Sequence, residues 1–349
     1  MMRKEHYMKK KVLAVLLSLA VFGGVVCSCS NETADETEAS ASSEAAATEN
    51  EETEAPAETT EAADETEASD SIYPLTYVDI YGNSTVIESE PQTIVTVSPT
   101  VTEIIYALGA QDKLIGRSDY DDYPMEVFDV PSVGPIDLPD TELIASLDPD
   151  IVIVSSIFSE EAYNSLTSLG IPVAIVVDED SFEGMIEVVG DIADLAGVHD
   201  AGVELTAELS EEYSSYADLL ETDAVAKDTT FYYAMMFGEY GDYTGGAGTF
   251  IDEIITLAGA SNAAGDVEGW SYSVEQLIAN DPTFILVPDW AYDSFITTEP
   301  YSSLTAVQEG RVIAVDANLF ERQGPRNFEA VQLIRDAVNS YEAELDAAA

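Results

Sequence analysis

The chain has 349 residues, 68 of them acidic against 12 basic, for a formal net charge of −56 at pH 7. A surface this negative repels phosphate backbones, which excludes nucleic acid as a partner, and it is repelled by anionic lipid as well. Only two histidines occur, His6 and His199, which excludes a multi-histidine zinc site.

Five of the basic residues (Arg3, Lys4, Lys9, Lys10 and Lys11) stand ahead of an apolar run from Val12 to Val26. That run is short for a membrane span and leads into small residues and cysteine, so residues 1–29 read as a targeting segment. Val26-Cys27-Ser28-Cys29 resembles a lipobox, the bacterial lipoprotein cleavage signal. Ser28 is small, as the residue before the cut must be, and Cys29 is the expected lipidation site. An ordinary signal peptide with incidental cysteines is the alternative. Both cysteines lie here, so the mature fold is expected to lack disulfides and thiol chemistry. Residues 30–72 follow as an acidic linker. Asn31 to Asp70 holds fifteen acidic residues and no Lys or Arg, too little apolar matter to offset ordering entropy.

About 275 residues remain, enough for two domains. A hairpin is expected over LTYVDIYGNSTVI, with Tyr-Gly-Asn at its middle. Strands are expected at Ile94–Val97, Leu114–Arg117, Ile151–Val154 and Val173–Val177, apolar runs alternating with helices as in a parallel sheet covered on both faces. His199 is read as a surface residue of the turn before a long helical stretch, Ala201 to Leu220. Further strands are expected at Thr230–Met235, Phe284–Val287 and Val312–Val315, and a closing helix near Phe328–Tyr341.

The chain repeats itself. Thr100 and Thr249 are each followed three residues on by an acid, then by Glu-Ile-Ile and a glycine six residues after that Glu (Glu103 to Gly109, Glu253 to Gly259). Both read as capped helices with a glycine stop, the caps placed at the threonines. Glu142 and Glu275 each lie seven residues before a proline, with Asp-Pro and then a strand-like run, Ile151-Val-Ile-Val154 or Phe284-Ile-Leu-Val287. Two matched pairs in the same order predict two similar α/β lobes.

These stretches resemble the class III periplasmic binding proteins for iron-siderophores, haem and cobalamin. The residues that carry the likeness are VSPTVTEIIYALGAQDKLIGRSDYDDYP, TELIASLDPDIVIV, GWSYSVEQLIANDP, AVQEGRVIAVD and FERQGPRNFEAV, spread over most of the region from Tyr73 on. The resemblance implies two Rossmann-like α/β lobes (73–198 and 225–345) joined by one helix (199–224), with ligand held between them and little hinge motion. It also implies docking onto an ABC permease dimer through Glu142 and Glu275. Equivalent acids on similar lobes would suit a symmetric partner; ordinary exposed helix glutamates are the alternative.

For the cleft, the expected lining from the first lobe is Ser98, Thr100, Tyr120 and Tyr123. From the second it is Tyr240, Tyr243, Trp270, Tyr272, Trp290, Phe320, Arg322 and Arg326. Aromatic faces stack on macrocycles or catecholates, and arginines clamp anions. Salt-bridging of Arg326 at the last helix, and packing of Trp270 or Tyr272 beneath the lobe, are the structural alternatives. No catalytic residue, metal ligand or cofactor is expected; Gly245-Gly-Ala-Gly248 is at most a weak anion cradle. The expected function is capture of a ferric siderophore or haem for an ABC importer, with cobalamin as the alternative ligand. An enzyme and a non-transport surface lipoprotein are the competing classes. A monomer outside the cytoplasm, held by its lipidated N-terminus, completes the reading.

Overall fold

The structure, a computed structural model, describes residues 71–222, 229–239 and 241–348. The targeting segment with Cys29, the acidic linker up to residue 70, the junction at 223–228 and Tyr240 lie outside the described residues.

A hairpin comes first, β1 (Leu75–Val78) antiparallel to β2 (Ser84–Ile87), with Leu75 opposite Ile87 and Val78 opposite Ser84. Its turn is held by Asp79, whose Oδ1 accepts from the backbone N–H of Tyr81 and Asn83, both at 2.9 Å. The first lobe continues as β3 (Ile94–Val97), α1 (Pro99–Ala107), β4 (Leu114–Gly116), α2 (Thr141–Leu147), β5 (Ile151–Val154), α3 (Glu160–Ser168), β6 (Val173–Ile175) and α4 (Phe182–Leu195). Then α5 (His199–Thr222) leads to the second lobe. Its elements are β7 (Thr230–Tyr233), α6 (Phe250–Leu257), β8 (Ser261–Asn262), α7 (Val274–Asn280), β9 (Phe284–Pro288), α8 (Tyr292–Thr297), α9 (Thr305–Gln308), β10 (Val312–Val315), α10 (Asn318–Glu321) and α11 (Asn327–Ala348).

Each lobe has a four-stranded sheet, ordered β4-β3-β5-β6 and β8-β7-β9-β10, with every pair parallel. Both sheets run second, first, third, fourth in chain order, so the sequence repeat is a repeat of topology. β3 and β5 are buried along their whole length, as expected of strands covered on both faces.

Two expectations are corrected at helix starts. The cap of α1 is Ser98, not Thr100: the Ser98 hydroxyl accepts from Val101 N–H at 3.5 Å, and Pro99 takes the first helical position. Proline's fixed φ and missing N–H suit that place, which moves the start two residues upstream. In the second lobe the threonine does cap, with Asp252 N–H donating to Thr249 Oγ1 at 3.2 Å. His199 is the first residue of α5 rather than part of the preceding turn.

Each lobe has an apolar cluster of its own, around Val97 and Ile144 in the first and Ile285 and Phe295 in the second, and the two lobes share a third. The shared cluster runs from Ile94, Ile151 and Ile153 of the first sheet to Phe231, Phe284 and Leu286 of the second. Phe182, at the start of α4, is its junction: its ring lies 4.8 Å from Phe250 of α6, 4.8 Å from Phe328 of α11 and 5.9 Å from Tyr213 of α5. Where α5 crosses α4 the backbones are close, and a Cβ at Gly202 would stand 2.3 Å from that of Ala193.

Candidate ligand site

The strands of each sheet are parallel, so the loops after their C-terminal ends gather on one edge per lobe, where such sheets bind ligands. Polar contacts between the lobes gather at these loops and on α1. Arg322, just past α10, donates through Nη1 to Glu103 Oε1 of α1 (2.9 Å) and Asp122 Oδ1 (2.5 Å), and through Nη2 to the Tyr120 carbonyl (3.2 Å). Arg326 donates to Glu103 Oε2 (3.1 Å) and Asp316 Oδ2 (3.0 Å), and its guanidinium sits 3.7 Å from the Tyr123 ring centroid. Gln323 exchanges two hydrogen bonds with the backbone of Glu179, beyond β6. The edges of the two sheets therefore face each other, bridged by Glu103, Arg322 and Arg326.

The loop carrying Tyr120, Asp122 and Tyr123 is pinned by a buried carboxylate. Asp121 Oδ2 accepts from Ser118 N–H (3.0 Å) and from Thr102 Oγ1 (2.9 Å), Oδ1 accepts from Ser118 Oγ (2.8 Å), and Thr102 Oγ1 pairs in turn with Thr96 Oγ1 (2.6 Å). Burial raises the Asp121 pKa; the bonds from Ser118 and Thr102 oppose that. On the other side, the Tyr301 hydroxyl donates to Asp242 Oδ1 (2.5 Å) and accepts from Gly238 N–H (3.0 Å), holding the loop before Tyr243. Burial and the Asp242 carboxylate push the Tyr301 phenol up to about 12.

The nominated residues divide into two groups. Tyr120, Tyr123, Tyr243, Trp270 and Trp290 are exposed, and Thr100 is half-buried. Tyr120 and Tyr123 lie beside the two arginines. Tyr243 and Ser271 pair as neighbouring backbone segments, and a concavity of about 500 Å3 lies against Tyr243, Tyr272 and Glu275. Three nominations are corrected by burial. Ser98 is enclosed as the helix cap. Tyr272 is 3% exposed, its hydroxyl donating to the Ala263 carbonyl at 3.0 Å. Phe320 is 1% exposed and stacked on Tyr233 at 5.0 Å. Ser98 and Phe320 offer no face to a ligand, and Tyr272 is nearly enclosed beside that concavity. The anion cradle at Gly245–Gly248 is corrected too, since Gly248 N–H already donates to Asp252 Oδ2 at 3.0 Å. A larger concavity of about 710 Å3, against Glu212, Tyr216 and Phe328 between α5 and α11, touches no nominated residue.

Glu103, Asp121 and Asp122 were missed as site residues. The signal for them was the scarcity of cations: two arginines close together in an acid-rich chain imply carboxylate partners. No cluster of three or more His, Cys, Asp or Glu among the described residues is arranged to hold a metal ion. No described helix is long and apolar enough to cross a membrane.

Glu142 and Glu275 both lie exposed in the first turn of the seven-residue helices α2 and α7. Those helices are capped by Asp140 and Ser273 and closed by Asp148 and Asp281.

The periplasmic binding protein family matches residues 94–319. The chain is 30% identical to the uncharacterized ABC transporter substrate-binding lipoprotein YvrC of Bacillus subtilis, over 76% of this chain and 86% of that one. It is 28% identical to a cobalamin-binding protein of Halobacterium salinarum, over 77% and 75% of the two chains. Among solved structures it is similar to the periplasmic heme-binding protein RhuT from Roseiflexus sp. RS-1, with TM-score 0.63 and 26% identity, covering 71% of this chain and 99% of that one. With a match over most of the folded region and two parallel sheets of the same strand order, the chain belongs to the periplasmic binding protein family.

Proposed function

We propose that this chain is the substrate-binding lipoprotein of an ABC importer, and that its cargo is a corrinoid of the cobalamin type taken up between the two sheet edges. The observation that carries the choice of cargo is the state of the two arginines. An anionic iron chelate was favoured on their charge, but Glu103, Asp122 and Asp316 balance that charge. What stays available is aromatic surface, at Tyr120, Tyr123, Tyr243 and Trp270, suited to a large cargo without net negative charge. The likeness to a cobalamin-binding protein supports the same reading. Haem is the second reading, favoured by the exposed phenols of Tyr120, Tyr123 and Tyr243, which are of the type that ligates Fe(III) porphyrin.

Titration of the purified full chain with cyanocobalamin, haem and a panel of ferric siderophores, followed by tryptophan fluorescence, tests this. Saturable one-to-one quenching by cyanocobalamin supports the corrinoid reading. Quenching by a siderophore alone returns the cargo to the iron-chelate class, and no response to any overturns the transport reading. The anchor is tested separately: radiolabelled fatty acid should enter the wild type and not the Cys29→Ser variant.

A further inference from the structure

We infer that Glu103 is a specificity-determining residue: reaching across from the first lobe, it occupies Arg322 and Arg326 together and bars anionic cargo from both. The inference rests on the reading of the facing sheet edges as the cargo site. Each oxygen of Glu103 takes one arginine, at 2.9 and 3.1 Å, so a single carboxylate is shared by two guanidiniums. The other charged contacts are all negative, Asp122 and Asp316 in hydrogen-bond range and Glu329 at 3.9 Å from Arg326 Nε, beside the neutral Tyr120 carbonyl and Tyr123 ring. Two cations thus face four carboxylates. An anionic group approaching either arginine must displace a bonded carboxylate and then sit beside it, in a setting where water screens poorly.

Among the four acids Glu103 is the decisive one. Its side chain is 9% exposed, whereas those of Asp122 and Asp316 are about half exposed and can turn to water. A displaced Glu103 has no such outlet. Burial works against the charge of both arginines, and the bonds and charges of the acids outweigh it, raising both pKa values. The Nε of Arg326 is buried and makes no hydrogen bond among the described residues, so a donor is already waiting for an acceptor once Glu103 is made neutral.

The test compares pairs of probes that differ only in charge: haem against its dimethyl ester, and cyanocobalamin against a cyanocobalamin monocarboxylic acid. Each is titrated into full-length wild type, Glu103→Gln and Asp122→Asn. The wild type is expected to prefer the uncharged member of a pair. Glu103→Gln keeps the shape and should move the ratio of affinities towards the charged member by about tenfold or more, with a smaller shift in the same direction for Asp122→Asn. Because the readout is a ratio, a loss of folded fraction cancels. Should Glu103→Gln fail to fold, the Asp122→Asn ratio decides the matter. Wild type that prefers the charged member, or ratios unchanged in the variants, overturns the inference. If only the porphyrin pair binds, the corrinoid reading falls while the filter is still judged on that pair; if no probe binds any protein, both fall.

Discussion

Asp148 and Asp281 hold the same place in the two lobes, each closing a seven-residue helix with a left-handed backbone, at φ 52° and 40°, directly before a proline. They are the only non-glycine residues with positive φ among those described. Aspartate tolerates this conformation better than most side chains, at some cost relative to glycine. Their side chains differ, however. Asp281 accepts from Thr305 N–H (3.0 Å) and Thr305 Oγ1 (2.6 Å), whereas Asp148 makes no side-chain hydrogen bond among the described residues.

The pair therefore responds differently to glycine. Asp148→Gly should be neutral or stabilising, within about 1 kcal/mol, since relieved strain is set against a more flexible unfolded chain. Asp281→Gly should cost about 1–2 kcal/mol from the two lost bonds. Urea unfolding of both variants gives the comparison, and an inverted order would show that Thr305 is not held in this way.

Gly202→Ala should destabilise the fold by about 1–3 kcal/mol, because the new methyl would collide with Ala193 where α5 crosses α4. The double variant with Ala193→Gly should recover part of the loss. Denaturation midpoints of the three proteins check this, and no recovery would place the strain elsewhere.

The buried Asp121 predicts a pH signature. Its folded-state pKa lies above the unfolded value of about 3.9. Below that value both states keep the proton and the group contributes nothing. Above it the unfolded chain ionises first, so stability falls with rising pH until the raised folded pKa has been passed. In Asp121→Asn this contribution is absent. The stability of wild type minus that of the variant should decline from about pH 4 upward and then level off, as read from thermal melts across pH 3–7. A rising difference would contradict the burial argument.

Glu142→Arg with Glu275→Arg should leave cargo affinity within about threefold of wild type and abolish uptake in cells that depend on this protein. Both side chains are exposed, so the melting temperature should hardly move. Loss of cargo binding would remove these residues from the docking role.

Much of the fold was readable because parallel strands are buried on both faces and leave continuous apolar runs. Ile94–Val97 and Ile151–Val154, buried throughout, begin and end where those runs do. β8 was missed, since Ser261 and Asn262 form a strand only through pairing with Thr230 and Phe231, a long-range fact with no local pattern. The site was less legible. Aromatic residues look alike whether they line a cleft or fill a core, and only packing separates Phe320 and Tyr272 from Tyr120 and Trp270. The arginines were visible as rare charges, but their partner Glu103 lies more than two hundred residues earlier, inside a helix read only for its cap.

Phe182 packs at once against Phe250, Phe328 and Tyr213. An aromatic joint shared by the halves couples their melting, so calorimetry should record a single endotherm from residue 71 onward. A joint packed this tightly works against a wide swing of the halves. If the halves hold their places, occupied and empty forms would differ at the rim, in which phenols and indoles are covered, and a permease would tell them apart by texture there and not by an angle.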